Sequence, residues 1–311
     1  MNPREHDRRR FLIAVNTGAG AQMDTELEAL LKTRIPADQL EELVMLQPDQ
    51  GLEQQLCELV ARCRTSGAIL VVAGGDGTLN TALRALSGQP VTLGVIPRGT
   101  FNYFARDRGI PEQPEAAIEV LLHGCRQSFS LARVNGHPFC VSASLGVYPK
   151  IIAAREQVSA LTGRNRLVSL LSGVWVFLTR ARGRRLLLQH DGHHRTATAP
   201  MLLASVSPAQ LESFDLPEVR KLEEGWMLVF VMRSDSLFAL VRYLWASIKG
   251  RLRHLEQLEY FLTHELRVTT RRRHLTLAID GELRRLSTPL TFSLQPDGFS
   301  CLVPERESAC E

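Results

Sequence analysis

Over the first 125 residues, short and wholly apolar runs alternate with longer segments whose apolar positions recur at helical spacing. "FLIAV" (11–15) runs into "NTGAG", Ala68 to Ala73 into "GGDGTLN", and Thr92 to Ile96 into "PRGTFN". A short apolar run bounded by turn residues reads as a buried strand. Between these runs, "DTELEALLKTR" predicts a helix with Thr25 as N-cap and Glu28 three residues on, a capping box. Leu52, Leu56, Leu59, Val60 and Cys63 mark a second helix, and Pro114 to His123 a third that Gly124 stops. Strands alternating with helices predict a parallel sheet with helices on both faces.

Near residue 127 the period shifts from helical to two. "SFSLARVNGHPFCVSAS" is a pair of β-like runs joined by Asn135-Gly136, and "RRLLLQHDGHHRTATAPMLLASV" repeats the device at Asp191-Gly192. Such dipeptides supply the positive φ angles of a two-residue hairpin turn. Trp226 to Met232, Glu259 to Thr270, Leu275 to Asp280, Pro289 to Leu294 and Phe299 to Val303 also read as strands, with helical stretches at 150–180 and 236–255. The expected fold is therefore α/β: an N-terminal parallel-sheet domain and a mostly antiparallel β domain with helical insertions.

Composition narrows the class. The chain has 311 residues, 44% hydrophobic and 23% charged, as in an ordinary globular protein. Its longest apolar candidate, Leu167 to Thr179, is too short to span a bilayer, and the apolar part of the N-terminus is too short for a signal peptide, so a cytoplasmic protein is expected. Six cysteines (Cys57, Cys63, Cys125, Cys140, Cys301, Cys310) lie apart without a CxxC pair and read as reduced thiols rather than a zinc site. Among 37 basic residues 33 are Arg, but no cluster is interleaved with aromatics, so no nucleic-acid partner is expected.

The three glycine-bearing loops carry the chemistry. In "VVAGGDGTLN", Gly74, Gly75 and Gly77 let backbone N–H groups approach phosphate oxygens. Thr78 can cap the following helix and donate to a phosphate. Asp76 repels phosphate, and its expected role is to face a magnesium ion that holds the phosphates. The stretch is neither a P-loop nor a G-x-G-x-x-G fingerprint. Three adjacent strands ending in "NTGAG", "GGDGT" and "PRGT" would build one phosphate cradle at the carboxyl edge of the sheet.

The order "NTGAG", "GGDGTLN", "IPRGTFNYFAR", "SASLGVYP" (142–149) and "AIDGELRRL" (278–286) resembles the bacterial diacylglycerol-kinase-like lipid kinases, whose superfamily includes sphingosine, ceramide and NAD kinases. The resemblance implies an ATP-binding catalytic domain over 8–126, completed by a returning segment at about 288–305. It also implies a β-sandwich lipid-substrate domain over 127–287, and a site in the cleft between the two. By the same resemblance Asn16, Thr17, Gly18, Ala19, Gly20, Gly74, Gly75, Asp76, Gly77, Thr78, Leu79, Asn80 and Thr100 fall on nucleotide positions. Asn102, Tyr103 and Ser144 fall on the acceptor side. Glu282 falls on the general base, with Asp76 as its catalytic companion on the metal. ATP and Mg2+ are the implied cofactors. The implied reaction transfers the γ-phosphate to a lipid hydroxyl, with diacylglycerol as default acceptor. Alternatives are a sphingoid lipid or NAD as acceptor, or a nucleotide-binding regulator with decayed catalysis.

The departures from the pattern are local. Thr17 stands where the family has proline, Tyr103 where it has aspartate, and Gln47-Pro48 where it has threonine. "LEEGWML" (222–228) keeps Glu223 and Glu224 of a magnesium loop but ends in Leu228. His190, His193 and His194 flank Asp191-Gly192 and read as a solvated hairpin tip. The apolar run Leu167 to Leu178 followed by Arg180, Arg182, Arg184 and Arg185, together with 236–253, is either a packed helix or an interfacial segment. The second reading makes an anionic membrane surface a peripheral partner. A homodimer is left open.

Overall fold

The computed structural model describes residues 9–17, 21–150, 183–212, 216–233 and 258–305. They divide into two compact units. One runs to Leu131 and resumes at Gln295; the other is Ala132–Leu294.

The first unit is built on parallel strands in the order β2-β1-β3-β4. Strands β1 (Phe11–Asn16), β3 (Ile69–Gly74) and β4 (Thr92–Pro97) are buried along almost their whole length, which is why they read as unbroken apolar runs. The sequence reading missed β2 (Leu40–Leu46). It lies at the edge, half-exposed, and its "LEELVML" lacks that run. The end of β16 (Leu290–Val303) joins β4 in parallel, Ser300 opposite Thr92. Helices α1 (Ala21–Arg34), α2 (Leu52–Ser66), α3 (Asp76–Leu86), α4 (Tyr103–Asp107) and α5 (Pro114–His123) complete the unit. The predicted boundaries of α5 hold, and Gly124 closes it with its N–H on the Val120 carbonyl. Helix α1 begins four residues before the expected cap, so Thr25 lies within it and the capping box does not form. Gly94 lets α5 approach: a Cβ there would meet Leu121 Cδ2 at 2.6 Å.

The second unit is a β-sandwich. One sheet has the order β12-β11-β10-β7-β14-β15, with β7 at Ser142–Gly146, β10 at Met201–Ser205, β11 at Met227–Met232, β12 at Leu258–Thr263, β14 at His274–Ile279 and β15 at Glu282–Ser287. The other joins the start of β16 to β13 (Glu265–Thr269), β8 (Arg184–His190) and β9 (His193–Ala199), while β5 (Cys125–Val134) pairs with β16 and with β6 (His137–Phe139). Leu145, Val229 and Leu277 of the first sheet share one buried core with Leu188, Leu266 and Phe292 of the second. Both predicted two-residue turns form, with φ near +47° at Asn135 and Asp191, and a third forms at Asp280 with φ +45°, each followed by a positive-φ glycine.

Two strand expectations need correction. Glu259 to Thr270 is two strands in different sheets. Thr263 Oγ1 donates to the Glu265 carbonyl and accepts the Glu265 N–H, which ends β12 and turns the chain at His264. Conversely, Pro289 to Leu294 and Phe299 to Val303 belong to the single strand β16, whose irregular point is Asp297 at φ +49°. At the hairpin tip His193 and His194 are exposed, as expected, whereas the His190 ring stacks on Phe261 at 4.0 Å. Arg184 and Arg185 open β8, and the rest of the apolar–basic segment and 236–253 lie outside the described residues.

Candidate active site

The carboxyl ends of β1, β3 and β4 are joined into one cradle by contacts between their loops. The Arg98 N–H donates to the Gly74 carbonyl at 3.0 Å, tying the turn after β4 to the end of β3. Beyond that bond the two turns touch: a Cβ on Gly75 would lie 3.0 Å from Gly99 Cα. Only glycine at both positions allows this approach. Asn16, ending β1, donates from Nδ2 to Thr78 Oγ1 at 2.6 Å. Thr17 donates from Oγ1 to the Leu46 carbonyl, closing β1 against β2. Gly75 starts α3 without a side-chain cap. The first N–H groups of that helix therefore have no intrahelical partner and form a ready anion site.

Several predicted site residues have roles that the sequence reading did not assign. Thr78 is the third residue of α3 rather than its cap, and its hydroxyl accepts from Asn16. Asp76 accepts the Tyr103 and Phe104 N–H groups at 3.3 and 3.1 Å, so its carboxylate caps α4, with lone pairs to spare for a further partner. Asn102 is a loop latch, buried at φ +49°. Its Oδ1 accepts the Gly99 N–H at 2.7 Å and its Nδ2 donates to the Gly99 carbonyl. Tyr103 stacks on Phe101, ring centroids 5.3 Å apart, and Phe101 is 60% exposed. Leu79 is a core side chain. Asn80 is buried, and neither side-chain heteroatom has a hydrogen-bond partner among the described residues. Thr100 is exposed. Gly18, Ala19 and Gly20 lie outside the described residues.

One pair went unread in the sequence. Arg98 Nη1 lies 2.6 Å from Asp24 Oδ1 of α1, both side chains more than nine-tenths buried, and it also donates to the Asn16 carbonyl at 3.2 Å. The partners are too far apart in the chain for spacing to suggest them.

In the second unit, Ser144 of β7 and Glu282 of β15 flank β14 in one sheet. Ser144 is paired with Ala278, and Glu282 with Ile279. Ser144 is 1% exposed and its Oγ has no partner among the described residues. Glu282 is part-exposed and accepts from Arg284 Nη2 at 3.1 Å. Asp280 does more than turn the chain into β15. Its carboxylate accepts the N–H groups of Cys140, Val141 and Ser142 at 2.8, 2.9 and 2.8 Å, and its own N–H donates to Ser142. Burial pushes the Asp280 carboxyl above the usual range, against the pull of those N–H donors and the Cys140 thiol. The result is a latch between the Glu282 hairpin and the strand that carries Ser144.

Among the described residues the carboxylates of "LEEGWML" join no cluster of three metal-ligating side chains. Glu224 pairs with Lys221 at 2.8 Å, and Leu228 is buried in a small core with Leu211, Leu216, Leu222 and Phe230. Among the described residues no group of three or more His, Cys, Asp and Glu side chains could hold a metal ion.

The family model for the diacylglycerol kinase catalytic domain matches residues 10–134. A diacylglycerol kinase of Mycobacterium tuberculosis is 39% identical over 67 residues, which is 21% of this chain and 22% of that protein. One from Bacillus subtilis is 25% identical over 219 residues, 69% of this chain and 71% of that one. A crystal structure from Bacillus anthracis shares the fold, with TM-score 0.73 at 20% identity over 95% of this chain and 97% of that one. The glycine cradle lies within the residues matched by the diacylglycerol kinase catalytic-domain model, and the chain is similar to bacterial diacylglycerol kinases.

Proposed function

We propose that the protein is an ATP- and magnesium-dependent lipid kinase that transfers the γ-phosphate to a lipid hydroxyl, with diacylglycerol as first acceptor to try. The observation that carries this reading is the contact of Gly75 with Gly99 beside the uncapped start of α3, a cradle that a Cβ would fill. ATP fits this cradle on two counts. Backbone N–H groups converge on an anion position, and a buried charged donor beside it, Arg98 Nη2, has no partner among the described residues.

Magnesium would enter as the nucleotide's own counter-ion, neutralising phosphate charge as it shifts. Asp76, whose carboxylate has lone pairs left beyond its two N–H partners, is the proposed ligand. Glu223 and Glu224 do not fit a second ion. Glu282 is the proposed general base, because the acceptor hydroxyl must lose its proton as it attacks. Asp280 holds the hairpin from which Glu282 projects, and Ser144 would meet the acceptor.

Among the described residues no helix is long and apolar enough to cross a membrane. The proposed encounter with lipid is peripheral, at an anionic surface on the cytoplasmic side. The deciding measurement is ATP consumption by purified protein in mixed micelles, with diacylglycerol, sphingoid bases and NAD as acceptors. Phosphorylation of a lipid supports the reading. ATP binding without transfer to any acceptor would favour the regulator, for which Tyr103 and the buried Leu228 are the specific observations.

A further inference from the structure

We propose that Arg98 is a ligand of the nucleotide phosphates, aimed by Asp24; the inference rests on the reading that ATP occupies the glycine cradle.

The path of the side chain places it there. Arg98 follows β4, and its Nη1 reaches the Asn16 carbonyl at the end of β1. In the sheet β3 lies between β1 and β4. The side chain therefore crosses two strand spacings, roughly 10 Å, over the carboxyl end of β3, where Gly74 gives way to Gly75 and α3 begins. The guanidinium thus lies beside the helix N-terminus that attracts an anion.

Its hydrogen bonds are incomplete in a particular way. Nη1 is engaged by the Asn16 carbonyl and lies against Asp24. Nη2 is buried and has no acceptor among the described residues. A dehydrated, charged N–H left bare is costly, and native interiors rarely leave one. An arginine serving only as a staple to Asp24 would be expected to use both arms, since the guanidinium fork matches a carboxylate in two places. Here one arm is fixed and the other left open next to the anion position. A phosphate oxygen supplies the missing acceptor. Asp24 is a positioning residue: it orients the guanidinium and stays on the far arm from the phosphate.

The test compares parent, Arg98→Gln and Arg98→Lys for binding of ATP, inorganic tripolyphosphate and adenosine, by calorimetry and by the shift in melting temperature. Folded Arg98→Gln should bind ATP and tripolyphosphate roughly 10- to 100-fold more weakly, with adenosine unchanged, as expected for loss of one charge-assisted bond. Parental affinity for both phosphate ligands in that variant overturns the inference. Equal weakening of adenosine also overturns it, because a staple that shapes the cradle would affect every ligand. If Arg98→Gln does not fold, Arg98→Lys keeps the charge beside Asp24 but has no second arm. It should still lose tripolyphosphate affinity, and parental affinity there overturns the proposal. A parent that binds neither ATP nor tripolyphosphate overturns the kinase reading together with this one. A parent that binds both, with variants unaffected, overturns Arg98 alone.

Discussion

Gly75 and Gly99 meet backbone to backbone. A Cβ on Gly75 would lie 3.0 Å from Gly99 Cα, and one on Gly99 would lie 2.9 Å from Gly75 Cα and 2.8 Å from Asn102 Oδ1. The turns after two neighbouring strands are thereby fixed against each other, and the N–H groups at the start of α3 are fixed with them.

Gly75→Val should therefore abolish ATP binding in a protein that still folds, because the branched side chain forces the two turns apart while the sheet beneath is untouched. Calorimetry with ATP beside a melting curve checks this. Unchanged affinity in the folded variant would remove the cradle from nucleotide binding.

Asp76 offers a way to separate structure from chemistry. Asp76→Ala leaves the Tyr103 and Phe104 N–H groups without their acceptor and should destabilise the protein by about 1–3 kcal/mol in urea unfolding. Asp76→Asn keeps one oxygen and should cost less stability, yet lose turnover as fully, because a neutral amide does not hold a cation. An alanine variant as stable as the parent would contradict the cap.

Glu282→Gln should lower turnover on the best acceptor roughly 100- to 10,000-fold, the worth of a general base. ATP affinity and melting temperature should stay near parental, since the carboxylate is part-exposed and its pair with Arg284 is of the surface kind. Near-parental turnover would exclude Glu282 as the base.

Magnesium without nucleotide should leave the melting temperature unchanged, whereas magnesium with ATP should raise it. A ligand stabilises only by binding the native state, and the described residues provide no carboxylate cluster for a free ion. A clear rise with magnesium alone would reinstate Glu223 and Glu224.

Thiol reactivity tests the packing. Burial pushes the Cys63 thiol up to about 11, with Glu41 adding to the rise and Arg62 opposing it, and pushes Cys301 up to about 12. Thiolate is the reactive form. At pH 8 a thiol of pKa 11 is ionised to only about one part in a thousand. Iodoacetamide at that pH should label the exposed Cys57 and spare Cys63 and Cys301 until the protein is unfolded. Peptide mapping reads the result, and early labelling of Cys301 would mean that its surroundings open readily.

What could be read in the sequence depended on how local the cause was. Strands β1, β3 and β4 were visible because burial on both faces demands an unbroken apolar run, and the hairpin turns because only certain residues tolerate their φ angles. The half-exposed edge strand β2 left no such run. In the site, the glycines were legible, since a close backbone approach excludes side chains. The partners of Asp76, Asp280 and Arg98 were not: each pairs with groups distant in sequence, and no local pattern announces a hydrogen bond between distant segments. Thr25 shows the converse, a good local capping signal overridden when the helix began earlier.

Strand β16 bears on how the protein is made. Its first residues pair with β13 in the sandwich and its last with β4 of the first unit. The first unit, though begun first in synthesis, therefore cannot acquire this strand until the residues around Ser300 have left the ribosome. During synthesis β4 waits with an open edge for a partner some 200 positions downstream, Ser300 for Thr92. A chain stopped short of Leu290 would lack a strand in both units at once, and a fragment ending at Leu131 would present that unpaired edge to its neighbours, a condition that favours aggregation.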